Sequence, residues 1–259
     1  MVRIPMQSRF APLRNFLAVI SVGVFVAGCG GGGGGSGDSG MVHDPSSGRA
    51  ACSLSRFAPN YATGLSLSFW PQFPIHVYFV PDAGVYTSDL QSRAVTAFNS
   101  WVTGTSGQVA FTVVPDQASA DVVVSFIPVT DERLASLGAA GITYFYTEGD
   151  AGTGNGTPNS AFGYARMYVG IDGDVHRENG TMAHEFGHAL GIHGHSPDIN
   201  DLMFFAGNPQ RSDVPTIRDI NTIETAYCGV FTRAEPGRSA ARPHPPAPPL
   251  TAPGWHAIE

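Results

Sequence analysis

Lysine is missing from this chain: all 14 basic residues are arginine, set against 21 acidic ones, for a formal net charge of −7. No mechanism attaches to the missing lysine. With no basic stripe and an acidic balance, nucleic acid is not an expected partner. Charge as a whole is sparse at 14%, whereas 42% of the 259 residues are hydrophobic, enough for one sizeable core or two small ones. Internal repeats are absent. Long apolar runs are also missing, because the single candidate, Phe16 to Ala27, is too short to favour a permanent membrane span. Cysteine is rare, with three residues: Cys29, Cys52 and Cys228.

The short apolar run has a context. Arg3, Arg9 and Arg14 precede it, and Val26-Ala27-Gly28-Cys29 closes it. A positive stretch, an apolar stretch and small residues before a cleavage point make an export signal. The last four residues resemble the bacterial lipobox, in which cleavage leaves a cysteine that carries lipid. An ordinary signal peptide with an incidental cysteine is the alternative, and both imply export. Residues 30–40, GGGGGGSGDSG, cannot pack and suit a leash. Residues 234–259 are proline-rich and offer little to bury, so a disordered tail is expected. The expected organisation is a signal peptide over 1–28, a lipidated cysteine and linker over 29–51, a folded domain over 52–233 and the tail. Membrane contact would come only through Cys29. Cys52 and Cys228, at opposite ends of the domain, are expected to form a disulfide, with two unpaired buried thiols as the alternative.

Inside the domain, Pro74–Val80 alternates as a strand does. Thr87–Val102 reads as a helix capped by Ser88, with Leu90, Ala94, Ala97, Phe98 and Trp101 on its buried face. Strands are predicted over 108–114, 120–127 and 142–146, then a glycine-rich loop over 148–163 and an edge strand over 164–171. Asp174–Leu190 and Asp213–Tyr227 read as helices, the second burying Ile217, Ile220, Ile223 and Tyr227. That order predicts an α+β fold: a twisted mixed β-sheet with packed helices and a C-terminal helical subdomain.

Residues 184–196, HEFGHALGIHGHS, place four histidines and one glutamate in thirteen positions. His184 and His188 are one helical turn apart and share a face, so both imidazoles can reach one zinc ion. Gly191 can end the helix and let the chain turn back with a third histidine. Three neutral imidazoles leave the ion its full double charge and a position open to water, whose pKa falls towards neutrality. Glu185, adjacent to the first ligand, can take the proton as general base and pass it to a leaving nitrogen.

This segment resembles the metzincin signature HExxHxxGxxH, and within it the matrixin-like zinc peptidases. Asp201-Leu202-Met203-Phe204 looks like the Met-turn that floors the metal in that family. The strand PIHVYFV, the Trp101 helix, ADVVVSFI and RDINTIETAY are similar to matrixin elements in the same order, over roughly residues 70–230. The resemblance implies a zinc endopeptidase with Glu185 as base and a protein or peptide substrate, acting as a monomer. It also implies that Phe204–Pro215 walls the pocket beyond the scissile bond. The sequence departs from the family in two places. The family's third histidine would fall on Gly194, and no cysteine-switch propeptide is visible. His184, His188 and His195 are the expected ligands, because Ser196 follows His195 and Met203 lies eight residues on, with Gly194 absorbing one extra residue. His193 is then expected on the bulge, partly exposed near the cleft. Asp150, Asn155, Asp172 and Asp174 could supply oxygens to calcium, although acidic groups in glycine-rich loops are more often merely solvated. The competing functions are a surface binding module that keeps zinc without turnover, which has no need of Glu185, and a structural lipoprotein, which needs a fourth protein ligand.

Overall fold

Alternating apolar residues become strands of one sheet, and the two longest helices pack against each other on its inner face. The computed structural model describes residues 41–42, 52–81, 84–147, 158–205, 212–228, 247–251 and 255–258, with backbone alone for 41–42, 52–54, 147 and 158–160. The expected signal peptide, Cys29 and the glycine leash lie outside the described residues. In chain order the elements are β1 (Met41–Val42), β2 (Cys52–Ser53), β3 (Ser66–Phe69), β4 (Ile75–Phe79), α1 (Ser88–Gly104), β5 (Phe111–Val113), β6 (Val122–Pro128) and α2 (Glu132–Ala135). There follow β7 (Gly141–Thr147), β8 (Pro158–Ile171), α3 (Val175–Leu190), β9 (Ile192–His193), α4 (Ile217–Tyr227) and β10 (Trp255–Ile258).

The main strands lie in the order β10-β7-β8-β6-β4-β5. The neighbours β5, β4, β6 and β8 are parallel, while β7 runs antiparallel to β8 and β10 antiparallel to β7. A short β3 runs parallel to the start of β8, and β9 pairs antiparallel with β3. The fold is α+β, a twisted mixed sheet with packed helices. On its inner face, Val122, Val124 and Phe126 of β6 and Ala165, Met167 and Val169 of β8 meet the helices. Phe98 of α1 stacks on Phe186 of α3 with ring centroids 4.0 Å apart. Each of these buried phenylalanines contributes about 1.5–3 kcal/mol relative to exposure.

Helix α1 buries Leu90, Ala94, Ala97, Phe98 and Trp101 as its periodicity predicts. Its cap is Thr87 rather than Ser88: the Thr87 hydroxyl accepts from Leu90 N–H at 3.1 Å, and Ser88 is already helical. Strand β8 is not an edge strand. It lies between β6 and β7, and Tyr164 and Tyr168 are buried. The strand also begins within the expected loop, at Pro158. Helix α4 starts at Ile217, which is 65% exposed instead of buried, because the capping box of Thr216 and Asp219 sets a later start than Asp213. The expected tail contains a strand: β10 pairs with β7. Cys228 is disulfide-bonded, and the side chain of its expected partner Cys52 lies outside the described residues.

The C-terminal end of α3 is held by other parts of the chain. Helix ends leave backbone carbonyls without partners. Here the Trp70 indole donates to Ala189 O at 2.7 Å, and the Tyr227 hydroxyl donates to Leu190 O at 2.6 Å. Ser68 N–H donates to Gly191 O at 3.0 Å. Gly191 ends the helix at φ +127°, and a Cβ there would collide with the Ser68 carbonyl. Gly191→Ala should therefore lower stability by roughly 2–4 kcal/mol, the left-handed backbone adding to the clash. Gly173→Ala, at φ +93° with open space around it, should cost only about 1–2 kcal/mol. Urea unfolding of both variants measures the difference; equal losses would show that the Ser68 contact is slack.

Candidate metal centre

Helix α3 delivers the first two histidines. Asp174 caps it by accepting from Arg177 N–H at 3.1 Å. Glu178, in the first turn, accepts from the N–H groups of Asp172 and Gly173 at 3.0 and 2.8 Å and pairs with Arg93 of α1 at 2.8 Å. Asp172 also pairs with Arg177, so both described residues of the expected calcium group are engaged within the protein. Asp150 and Asn155 lie outside the described residues.

His184 and His188 are buried on the face of α3 turned to the chain that follows it. His184 Nδ1 lies 2.8 Å from Leu202 O, and His188 Nδ1 lies 2.6 Å from Ile192 O. A carbonyl can only accept, so each Nδ1 carries a proton, and in the neutral ring Nε2 then holds the lone pair. The two Nε2 atoms face each other at 3.1 Å. Two acceptors at that distance repel, and a cation bound by both removes the conflict.

The third imidazole arrives on the loop after β9. His195 lies with its ring centroid 5.3 Å from His184 and 5.1 Å from His188. One nitrogen from each of the three rings lies within 4.8 Å of the others, and among the described residues this is the one such group of His, Cys, Asp or Glu. The next residue anchors the loop. Ser196 N–H donates to Met203 O at 2.7 Å, and the buried Ser196 hydroxyl bonds Asp201. Gly194, at φ +138°, provides the turn before His195. Three imidazole nitrogens suit zinc.

His193 goes elsewhere. Strand β9 pairs it with Ser66, and its ring packs 3.9 Å from Phe145 and 5.6 Å from Phe162. As expected it is partly exposed and stands apart from the other three rings, but it sits in a strand pair rather than on a bulge. Burial, with His256 adding repulsion, pushes its pKa down to about 3, so the ring is neutral.

Glu185 is buried beside the group, on the side of β7. The Thr143 hydroxyl donates to its Oε2 at 2.7 Å. A Cβ on Gly141 would stand 2.6 Å from Oε1, so the first residue of β7 has to be glycine for the carboxylate to lie there. Beneath the histidines, Met203 is fully buried, and Gly187 leaves room for its sulfur and for the Trp101 ring. Met203 N–H and Leu202 N–H both donate to Asp219, at 3.3 and 3.0 Å. Burial raises the pKa of Asp219 against its hydrogen bonds from Tyr61 and Thr216. Sequence reasoning missed Thr143, Gly141 and Asp219. A threonine at an inward position of an otherwise apolar strand was the available signal for the first.

A hollow of about 580 Å³ lies on the other face of the sheet, lined by Ser125, Arg133, Arg166 and Tyr168, and includes none of the three histidines.

No protein-family model matches the chain, and no curated protein matches it. Among solved structures it is similar to myroilysin, at 15% identity over 61% of this chain and 95% of that one, with a TM-score of 0.37. It is also similar to metalloproteinase-II from Bacteroides fragilis, at 14% identity over 68% of this chain and 61% of that one, with a TM-score of 0.34. The chain thus spans less than two thirds of the length of the Bacteroides protein. At such identity and overlap, the geometry of the three histidines is the ground for a functional reading.

Proposed function

We propose that this chain is a zinc-dependent endopeptidase of the metzincin type, matrixin-like, with His184, His188 and His195 as ligands and Glu185 as general base. The observation that carries this is the convergence of three imidazoles. Both helix imidazoles direct Nδ1 to backbone carbonyls, so both Nε2 atoms meet at 3.1 Å, with a nitrogen of His195 close by. Zinc, when bound, supplies Lewis-acid polarisation of a carbonyl and makes a water more acidic. The protein's own part is proton handling. The Thr143 hydroxyl orients Glu185 through Oε2, and the carboxylate would take a proton from water and return it to the leaving nitrogen. The substrate class is protein or peptide. A zinc-keeping binding module is the second reading, and the buried, oriented Glu185 favours the enzyme over it.

We also propose export and a lipid anchor on Cys29, supported by the motif alone. Mass spectrometry of the mature N-terminus is the check: an acylated Cys29 is expected, and a mature chain that starts elsewhere without lipid overturns the anchor.

Two further outcomes are expected. Glu185→Ala should keep zinc and fold while losing on the order of a hundredfold or more in turnover of a casein-type substrate. Near-normal turnover would exclude Glu185 as the base. His195→Ala should lose both zinc and activity, whereas His193→Ala should retain zinc; atomic absorption on the purified variants decides, and the reverse pattern would transfer the ligand role to His193.

A further inference from the structure

Strand β7 has two jobs. One edge pairs with β8 along its whole length, and its Thr143 side chain orients Glu185. Its other edge is the sheet edge next to the candidate centre. A sheet edge presents unpaired N–H and C=O groups and readily accepts an extended peptide as an added strand. A peptide laid there would bring its backbone about one strand spacing, roughly 4.8 Å, from the backbone that holds Glu185. In this structure that edge is taken by the chain itself. Strand β10 pairs with it through Trp255↔Tyr146, His256↔Phe145, Ala257↔Tyr144 and Ile258↔Thr143. The last pair places Ile258 opposite the residue that orients the base.

The occupant is fitted but lightly held. His256 stacks on Phe145 with centroids 5.2 Å apart, and Trp255 lies 5.8 Å from Tyr146. Ile258 packs against the main core. Yet the strand has only four residues, and His256 and Ala257 are exposed. It is separated from α4 by a proline-rich stretch that includes RPHPPAPPL. By contrast, β8 is fourteen residues long and paired on both sides.

We infer that β10 is a resident occupant of the outer edge of β7, which an extended peptide substrate must displace. This rests on the peptidase reading above. The segment Trp255–Ile258 shows the chemistry the surface takes: an extended strand with a flat ring and an aliphatic side chain two residues later, both on the inner face. If β10 is in place nine-tenths of the time, the apparent affinity for a competing peptide falls about tenfold.

The test uses the full chain loaded with zinc. In an antiparallel ladder only alternate residues donate to a given neighbour, so the double variant His256→Pro, Ala257→Pro removes whichever of the two N–H groups points at β7. Amide hydrogen exchange at residues 143–146 reports whether the edge has opened. With a quenched-fluorescent casein-type peptide, the double variant should show a KM about tenfold lower with kcat unchanged. A synthetic peptide of residues 251–259, TAPGWHAIE, should raise the KM of the double variant and leave the parent nearly unaffected. Binding of the same casein-type peptide, followed by anisotropy in a Glu185→Gln background, should tighten to the same extent. Unchanged exchange at 143–146 in the double variant would show that β10 does not guard this edge. Opened exchange with unchanged KM and unchanged binding would show that the edge is not where peptide docks. Either result overturns the inference. Tighter binding with no hydrolysis by any form bearing Glu185 would overturn the peptidase reading and leave the docking surface standing.

Discussion

A single buried carboxylate, Asp219, holds the ground beneath the candidate centre. Its Oδ1 accepts from the Tyr61 hydroxyl at 2.6 Å and from Met203 N–H at 3.3 Å. Its Oδ2 accepts from Leu202 N–H at 3.0 Å and from Thr216 N–H at 2.8 Å. The Thr216 oxygen lies between two carboxylates, 2.9 Å from Asp219 and 2.6 Å from Asp201, and its one proton serves one of them. Burying a carboxylate is costly unless such bonds surround it. Those bonds fix the turn of Leu202 and Met203 against the start of α4. Leu202 O in turn fixes the tautomer of His184, and Met203 O holds the residue after His195. Two of the three imidazoles therefore take their bearing from one acid that touches neither.

The same logic shows what sequence could reveal and what it could not. Local periodicity identified the five buried residues of α1, because burial on one helix face is written at intervals of three and four. The placement of His184 and His188 one turn apart was legible for the same reason, and the gathering of His195 beside them followed from counting to Met203. Pairing across the chain was not legible. Nothing local says that Gly141 yields space to Glu185, or that Thr143 turns towards it. The alternation of β8 is real, but its second face is covered by Leu134 and its neighbours instead of water, so an interior strand read as an edge. Strand β10 was hidden by composition: four pairable residues follow a proline-rich stretch that argued for a disordered tail.

His193 and His195 illustrate how backbone geometry separates two like side chains. The short pairing of β9 with β3 directs the His193 ring onto Phe145, where burial keeps it uncharged. Two residues later the chain has left the strand through Gly194, and His195 faces the helix. One residue of extra chain decides which imidazole joins His184 and His188 and which becomes an aromatic slab in the wall.

Helix α3 is a poor helix on its own. Gly180 and Gly187 lie in its interior, and asparagine, threonine and three histidines replace better helix formers. Each such glycine costs about 1 kcal/mol relative to alanine. The helix exists because Trp70, Trp101 and Tyr227 bond its carbonyls and Phe186 fills the core. An unfolded chain therefore presents scattered imidazoles, not a preformed site. Any free energy gained when a metal joins the three rings is gained by the folded domain alone and adds to its stability. Assembly of the domain and capture of an ion would be linked equilibria, so a chelator would act on the fold as well as on the site.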